Sequence, residues 1–401
     1  MEWSTALKIL AAIAVLASIS AFAIMSYQTP AAQLNWHMGE DDPVSKFYPS
    51  GDSLFVIGAT NISFINSSGQ TIWSKPYPGV QYSVAGNNGE IYVYSRNDGL
   101  SVLYPDGSSR SIVDMDISKA PVIGGNGEIF LTSWDLLVAM TPDGRELWNA
   151  SIVISTPVTD HKGNTYFFVR PPEHLSDVYL YSISPDGKQN WAILFDRYYS
   201  NTMIKPHKDD GIYVYNDVSG ELYQIGSNGA INWKYYKPYL GQFVLLDDEQ
   251  DRQYLLYLRG TVHILNSQGY LISKFNYETA DEVNVTYEPA VYNNTIYILS
   301  PDTSPDTVSI YAAGLDGSTL WGRDFNCSGP AKVYASEGAV CVATQNKRSG
   351  QTIPVLYVFD HQGKLKHAYS SGDGRLWEQV YINGDRIYAK TYGGVLYALK
   401  A

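Results

Sequence analysis

The sequence predicts an all-β fold, a single closed β-propeller of four-stranded blades, and three observations predict it. A turn glycine recurs at positions 69, 107, 144, 187, 229, 269, 317 and 363, a spacing of 37 to 48 residues that matches one propeller blade. Tryptophan stands four residues after five of these glycines, as Trp73, Trp148, Trp191, Trp233 and Trp321. The two ends of the repeat region carry complementary parts of one blade, so pairing them removes two exposed sheet edges.

Each repeat divides into four short strands, rich in β-formers and bounded by turn residues. In the third repeat, APVIG (120–124) is strand A, EIFLTS (128–133) strand B, LLVAM (136–140) strand C and ELWNA (146–150) strand D. Asp-Gly and Asn-Gly pairs supply the positive-φ positions that tight C to D hairpins require. The repeated tryptophan is expected to fill the wedge between neighbouring blades.

The last repeat has strands A, B and C in EQVYI (378–382), DRIYAKT (385–391) and GVLYALK (394–400), with no strand D after them. A strand D pattern without its strand C stands at 33–38, QLNWHM. Counted this way, residues 33–401 hold nine blades of about 41 residues; eight blades with one irregular terminal unit is the alternative. A length of 401 residues, which by itself suggests two or three domains, thus reads as one large domain.

Lys and Arg total 28 against 40 Asp and Glu, for a net charge of −12, so no positive field draws in a phosphate backbone and nucleic acid is excluded as an expected partner. Apolar residues make up 45% and aromatic residues 13% of the chain, enough for a packed core rather than disorder.

Residues 9–25, ILAAIAVLASISAFAIM, form an apolar run that reaches the ~20 residues of a membrane-spanning helix when 5–7 are included. The expected organisation is a signal anchor or signal peptide at 1–25, a linker at 26–32 and the propeller at 33–401. Ala21-Phe22-Ala23 offers a cleavage site that would make the product secreted, and a buried core helix is the third reading. Lys8 before the run and Glu40, Asp41 and Asp42 after it favour an inside N-terminus, with the propeller extracytoplasmic on a single-pass cell-membrane anchor. Six Asn-x-Ser/Thr sequons, at Asn61, Asn66, Asn149, Asn284, Asn293 and Asn326, are candidate glycosylation sites consistent with that side. The same compartment allows a Cys327 to Cys341 disulfide, against the alternative of two separate buried thiols.

The Gly-x-x-x-Trp turns, the preceding Leu-Tyr or Val-Tyr strands and the period of about 40 residues resemble the quinoprotein-like, or PQQ-like, repeat family over residues 33–401. Family repeats often carry Asp three residues before the turn glycine. Here that pattern survives at Asp360, with Asn66 and Asn266 as near matches, while other copies read Ser-Pro-Asp-Gly or Thr-Pro-Asp-Gly. The match is therefore to the non-enzymatic branch, which includes the propeller lipoprotein of the outer-membrane β-barrel assembly machinery. The family's calcium- and quinone-dependent dehydrogenases imply an adjacent Cys-Cys pair and a Glu, Asn and Asp calcium site. Here the two cysteines are fourteen positions apart and no such trio is assignable.

No catalytic residue, metal ligand or cofactor is assigned. The histidines at 37, 161, 174, 207, 263, 361 and 367 show no paired ligand spacing. The acidic run Asp247-Asp248-Glu249-Gln250-Asp251 has carboxylates suited to a hard cation, but in an A to B hairpin without calcium-loop register it reads as a solvated turn.

Recognition is expected on the face carrying the D to A and B to C connections, where loops ride on a rigid scaffold. The long B to C connections 170–177, 300–307 and 345–354, with Arg170 and His174 in the first, lie there, as do the D to A clusters Arg197, Tyr198, Tyr199 and Tyr235, Tyr236, Tyr239. The competing role for each tyrosine is packing between blades. Three functions follow: a non-catalytic protein-interaction scaffold or cell-surface component, a module binding cell-envelope polysaccharide, and a quinone- or metal-dependent enzyme.

Overall fold

The computed structural model describes residues 34–401 except 174–175, 196–197, 199–201, 209–210, 217–218, 238–242, 258–259, 278–286, 302–306 and 349–350. Within them the chain forms nine sheets, which make a nine-bladed propeller. Blades 1 to 8 span 46–76, 80–113, 122–150, 158–194, 202–236, 243–276, 290–326 and 331–370. Each runs A-B-C-D in sequence order, antiparallel throughout. Blade 9 takes strands A, B and C from Trp377–Asn383, Arg386–Thr391 and Leu396–Lys400, and its outer strand D from Leu34–Met38. The last strand pairs with the first through Leu34 opposite Leu399 and Met38 opposite Leu396, so the ring is closed by its own ends.

Burial follows the layer. In blade 2, strands B and C (Ile91–Ser95 and Gly99–Leu103) are buried at every position, because both of their faces meet neighbouring blades. Strand D of blade 1 (Thr71–Pro76) alternates between exposed and half-buried, because it is the outer edge. Nine apolar clusters among the described residues occupy the nine junctions between blades. The one joining blades 1 and 2 holds Phe55, Ile57, Ile62 and Phe64 against Ile91, Val93 and Leu103. The one that closes the ring holds Phe47, Leu54 and Val56 against Tyr388, Leu396 and Ala398.

The recurrent tryptophan serves those junctions in a specific way. Each ring lies on the C to D turn of the following blade rather than on its own. Trp73 donates its indole N–H to Pro105 O at 2.8 Å, Trp191 to Ser227 O at 2.7 Å, Trp233 to Ser267 O at 3.1 Å and Trp321 to His361 O at 2.8 Å. Trp36, in the borrowed strand, donates to Ser67 O at 3.1 Å and so ties blade 9 to blade 1. The turn glycine is required twice over at these places. At Gly229 the backbone has φ +82°, and a Cβ would lie 2.9 Å from the Trp191 ring.

Two departures from the repeat stand out. The segment 345–354, expected to be a loop, is instead a hairpin that extends strands B and C of blade 8 (Val340–Arg348 and Gln351–Phe359), with Gln345 opposite Pro354 and Asn346 opposite Ile353. Its backbone groups pair with each other, which a polar composition does not prevent. In addition, Tyr287–Glu288, just before blade 7, pairs in parallel with Ala331 and Lys332 in the innermost strand of blade 8. No helix among the described residues is long and apolar enough to cross a membrane, and the hydrophobic segment 1–25 and linker 26–32 lie outside them.

Two glycine substitutions separate the two demands on the turns. Gly79→Ala, at φ +74° with open space around it, should cost about 1 kcal/mol from backbone conformation alone. Gly229→Ala adds the collision with Trp191 and should cost about 2 to 3 kcal/mol, read as the larger loss in urea unfolding.

Candidate binding face

The strand order places the D to A and B to C connections on one face of the ring, and the A to B and C to D turns on the other. On the first face the structure brings together two of the expected residues from different connections. Arg170 follows strand B of blade 4, and its N–H donates to Ile152 O at 3.2 Å. Its guanidinium lies 5.9 Å from the centre of the Tyr198 ring. Tyr198 is half-buried, with its ring edge-on to Phe168 at 4.9 Å, and burial raises its phenol. Tyr236 is 43% exposed at the end of strand D of blade 5, with the Lys234 ammonium 5.7 Å from its ring centre. Lys234 also sits 4.7 Å from the Tyr223 ring and 3.2 Å from the Glu221 carboxylate. His174, Arg197, Tyr199 and Tyr239 lie outside the described residues.

Tyr235 is a correction. It is 8% exposed and packs in the junction between blades 5 and 6, where its hydroxyl shares a 2.8 Å hydrogen bond with His263 Nδ1. Along strand D alternate side chains face opposite sides, so of the neighbours 235 and 236 only the second reaches solvent. Burial, with the charges of Lys274 and Lys237, holds the His263 ring down at about 4. Burial pushes the Tyr235 phenol up to about 12.

The acidic run does form the A to B turn of blade 6, but Asp251 is buried and Asp248 half-buried rather than solvated. Asp248 accepts from the Gln250 and Arg252 N–H groups at 2.9 and 3.1 Å and from Arg252 Nε at 2.6 Å. Asp251 is 2.9 Å from His207 Nε2 and accepts from the Tyr213 hydroxyl at 3.2 Å. Asp360, Asn66 and Asn266 play a comparable turn role. Each side-chain oxygen accepts backbone N–H groups two and four residues on, which fixes the C to D hairpin.

Cys327 and Cys341 are free buried thiols rather than a disulfide. Cys327 belongs to the cluster between blades 7 and 8, hydrogen-bonded to Thr344 Oγ1 at 2.9 Å, whereas Cys341 belongs to the cluster between blades 8 and 9. Opposite faces of one blade separate them, and burial raises both thiols. The pair therefore does not fit the cover that a quinone cofactor in the family's enzymes implies. Among the described residues no group of three or more His, Cys, Asp or Glu side chains is placed to hold a metal ion.

Among the sequons, the Asn61 amide donates to Thr60 Oγ1 at 2.8 Å and to Asp42 Oδ2 at 3.2 Å. The Asn66 amide donates to Gln70 at 3.1 Å and the exposed Asn149 amide to Glu146 at 2.7 Å. Asn293 and Asn326 are exposed, at a turn and at the end of a strand of blade 7. Asn284 lies outside the described residues.

A cleft of about 210 Å³ between blades 8 and 9 opens beside the innermost strands and was not signalled by the sequence. Tyr334, Trp377 and Tyr392 line it together with the ion pair of Lys332 with Glu288 and with Glu378, which pairs with Lys390 behind the lining. Its residues come from five separate segments of the chain, so no local spacing announces them.

His263 generates a pH prediction. Its pKa in the fold lies below the unfolded value of 6.5, so its contribution to stability is complete above pH 6.5 and is lost as pH falls towards about 4. Thermal melts of the wild type should fall across this window. Those of His263→Gln should fall less.

No protein-family model matches the chain, and no curated protein does. Among solved structures it is similar to BamB from Moraxella catarrhalis, at 12% identity over 92% of this chain and 100% of that one, with a TM-score of 0.50. It is similar to a eukaryotic initiation factor at 9% identity over 84% and 90% of the two chains, TM-score 0.65. The C-terminal WD40 domain of Sif2 matches at 10% identity over 92% and 98%, TM-score 0.53. At such identities the likeness is one of fold, and the fold is that of a β-propeller.

Proposed function

We propose that this protein is a non-catalytic protein-interaction scaffold, held at the extracytoplasmic side of the cell membrane by its N-terminal hydrophobic segment. The observation that carries the reading is the division of polar chemistry within the ring. His263, Asp251 and both cysteines are enclosed between blades or within them, while Arg170 with Tyr198, and separately Tyr236 with Lys234, lie towards the face of the long connections. Aromatic rings paired with cationic side chains offer large contact area with polar tips, the composition favoured in protein interfaces. The similarity to BamB and to a WD40 domain is consistent with a scaffold.

The cleft between blades 8 and 9 favours envelope polysaccharide as a second reading, since Trp377 and Tyr392 stand beside carboxylates in a space of monosaccharide size. Chemical cross-linking on intact cells tests the first reading. The wild type should yield specific protein adducts, and the triple variant Arg170→Ala, Tyr198→Ala, Tyr236→Ala should lose most of them at unchanged expression. An unchanged adduct pattern would reject the scaffold face. Glycan-array binding abolished by Trp377→Ala, with no protein adduct in the wild type, would replace it by the polysaccharide reading.

A further inference from the structure

Among the exposed large apolar side chains of the described residues, several stand near the face of the D to A and B to C connections, foremost Trp134 in the B to C turn of blade 3 at φ +57°. Eight others share one place on the opposite face, the start of strand D beside the C to D turn. Ile72 in blade 1, Ile231 in blade 5, Ile272 in blade 6, Leu320 in blade 7 and Leu365 in blade 8 lie two or three residues after the turn glycine. Tyr270 and Leu271 extend the place in blade 6, and Leu34 holds it in blade 9 at the start of the borrowed strand. All eight are between 36% and 70% exposed.

The outer strand does not demand apolar residues there. The same positions hold Ser109 and Arg110 in blade 2, Glu146 in blade 3, and Gln189 and Asn190 in blade 4, all exposed. Leu147 of blade 3 is half-buried against the junction of blades 3 and 4. The turns divide in a similar way. Just before the turn glycine, blades 2, 3 and 4 carry the exposed Asp106, Asp143 and Asp186, whereas blades 1, 5, 6 and 8 carry Ser68, Asn228, Gln268 and Gln362; blade 7, with Asp316, departs from this. An apolar arc thus runs through six neighbouring blades, 5 to 9 and 1, and a polar arc through the other three. Exposed charges along the apolar arc are of both signs, as with Lys274 and Arg323 against Asp316 and Asp324, so its apolar side chains rather than its charge set it apart.

The chain enters the ring within this arc. Leu34 stands opposite Leu399, at the C to D end of blade 9, and eight residues, 26–33, separate it from the apolar run 9–25. Extended at about 3.3 Å per residue they reach less than about 30 Å, so an anchor in a bilayer keeps this end of the ring beside the bilayer. Apolar points spread over six blades suit a planar partner, whereas a peptide groove would gather them in one place.

Resting on the anchored reading, we propose that the C to D rim of blades 5 to 9 and 1 is seated on the lipid surface of the anchoring membrane, with its apolar side chains in the interfacial layer and blades 2 to 4 raised from it. The seating removes exposed apolar area from water, and Tyr270 suits the headgroup level, where a ring is shielded and a hydroxyl stays wet. It also turns the connection face, with Arg170 and Tyr198, away from the membrane.

The test uses the full chain with a nitrobenzoxadiazole label on one introduced thiol, since Cys327 and Cys341 are buried. Labels at Ile272→Cys and Leu320→Cys are compared with labels at Arg110→Cys and Asn190→Cys, in phosphatidylcholine vesicles with and without bromine on the acyl chains. Brominated lipid should quench the first two at least twofold more than the second two. Adding Ile231→Thr, Leu271→Thr and Leu365→Thr should lower the quenching at Ile272→Cys at least twofold while the melting temperature holds, because threonine keeps the strand preference; this separates seating from folding. Equal quenching at all four positions would overturn the proposal. So would a dimer that Leu320→Arg dissociates without any bromine quenching, which would assign the arc to a second copy of the chain. The anchored reading fails on a different result, release of the chain from cell membranes by alkaline carbonate; the quenching contrast, read on chain added to preformed vesicles, then still decides the rim.

Discussion

The structure depends on one recurring contact, an outer-strand aromatic ring laid on the C to D turn glycine of the next blade. Without a Cβ, the turn lets the ring approach the backbone, and the indole N–H then finds a turn carbonyl. The contact joins consecutive blades at the rim while the B and C strands join them deeper in the ring. Where tryptophan is missing the place is still filled. Phe275 lies against Gly317 and Ile112 against Gly144, so the requirement is for apolar bulk, with the hydrogen bond an addition. Trp36 extends the same contact across the chain ends, so that the closing blade is locked both by strand pairing and by its ring on Gly69.

That architecture also distributes the chemistry. Nine junctions consume the apolar side chains and draw polar groups in with them, some of them paired, as in Tyr235 with His263 and His207 with Asp251. Desolvation raises the Tyr235 phenol and lowers the His263 ring, and the place of such groups between blades rather than in an open cleft separates them from functional candidates. What remains for recognition is the connection face. There the repeat is broken by the long B to C connection within blade 4, by the Tyr287–Glu288 pairing beside blade 8 and by Trp134 in blade 3. These irregularities cost the repeat its symmetry without adding to the core, which is why they carry the functional argument.

Much of the fold was legible in the sequence because the repeat writes the same physical demand many times. The Gly turns, the Trp positions, the nine units and the borrowed strand at 34–38 all answer to local turn geometry and edge pairing. The site was less legible. Arg170 and Tyr198 meet as expected of one face, but Tyr235 and Tyr236 look alike in sequence and are separated only by which side of strand D each occupies. Segment 345–354 has the composition of a loop and the backbone pairing of a hairpin.

By itself the sequence determined the blade period, the closure by the two chain ends and the net charge of −12, since these follow from spacing and composition that every fold of the chain must respect, while the structure chose nine blades over eight. Only the tertiary structure decided which turn each tryptophan caps, which thiols face which junction, and that Trp134 stands exposed in a left-handed turn. Those outcomes depend on contacts between residues about 30 to 40 positions apart or on the φ of one residue, and neither leaves a mark in local sequence pattern.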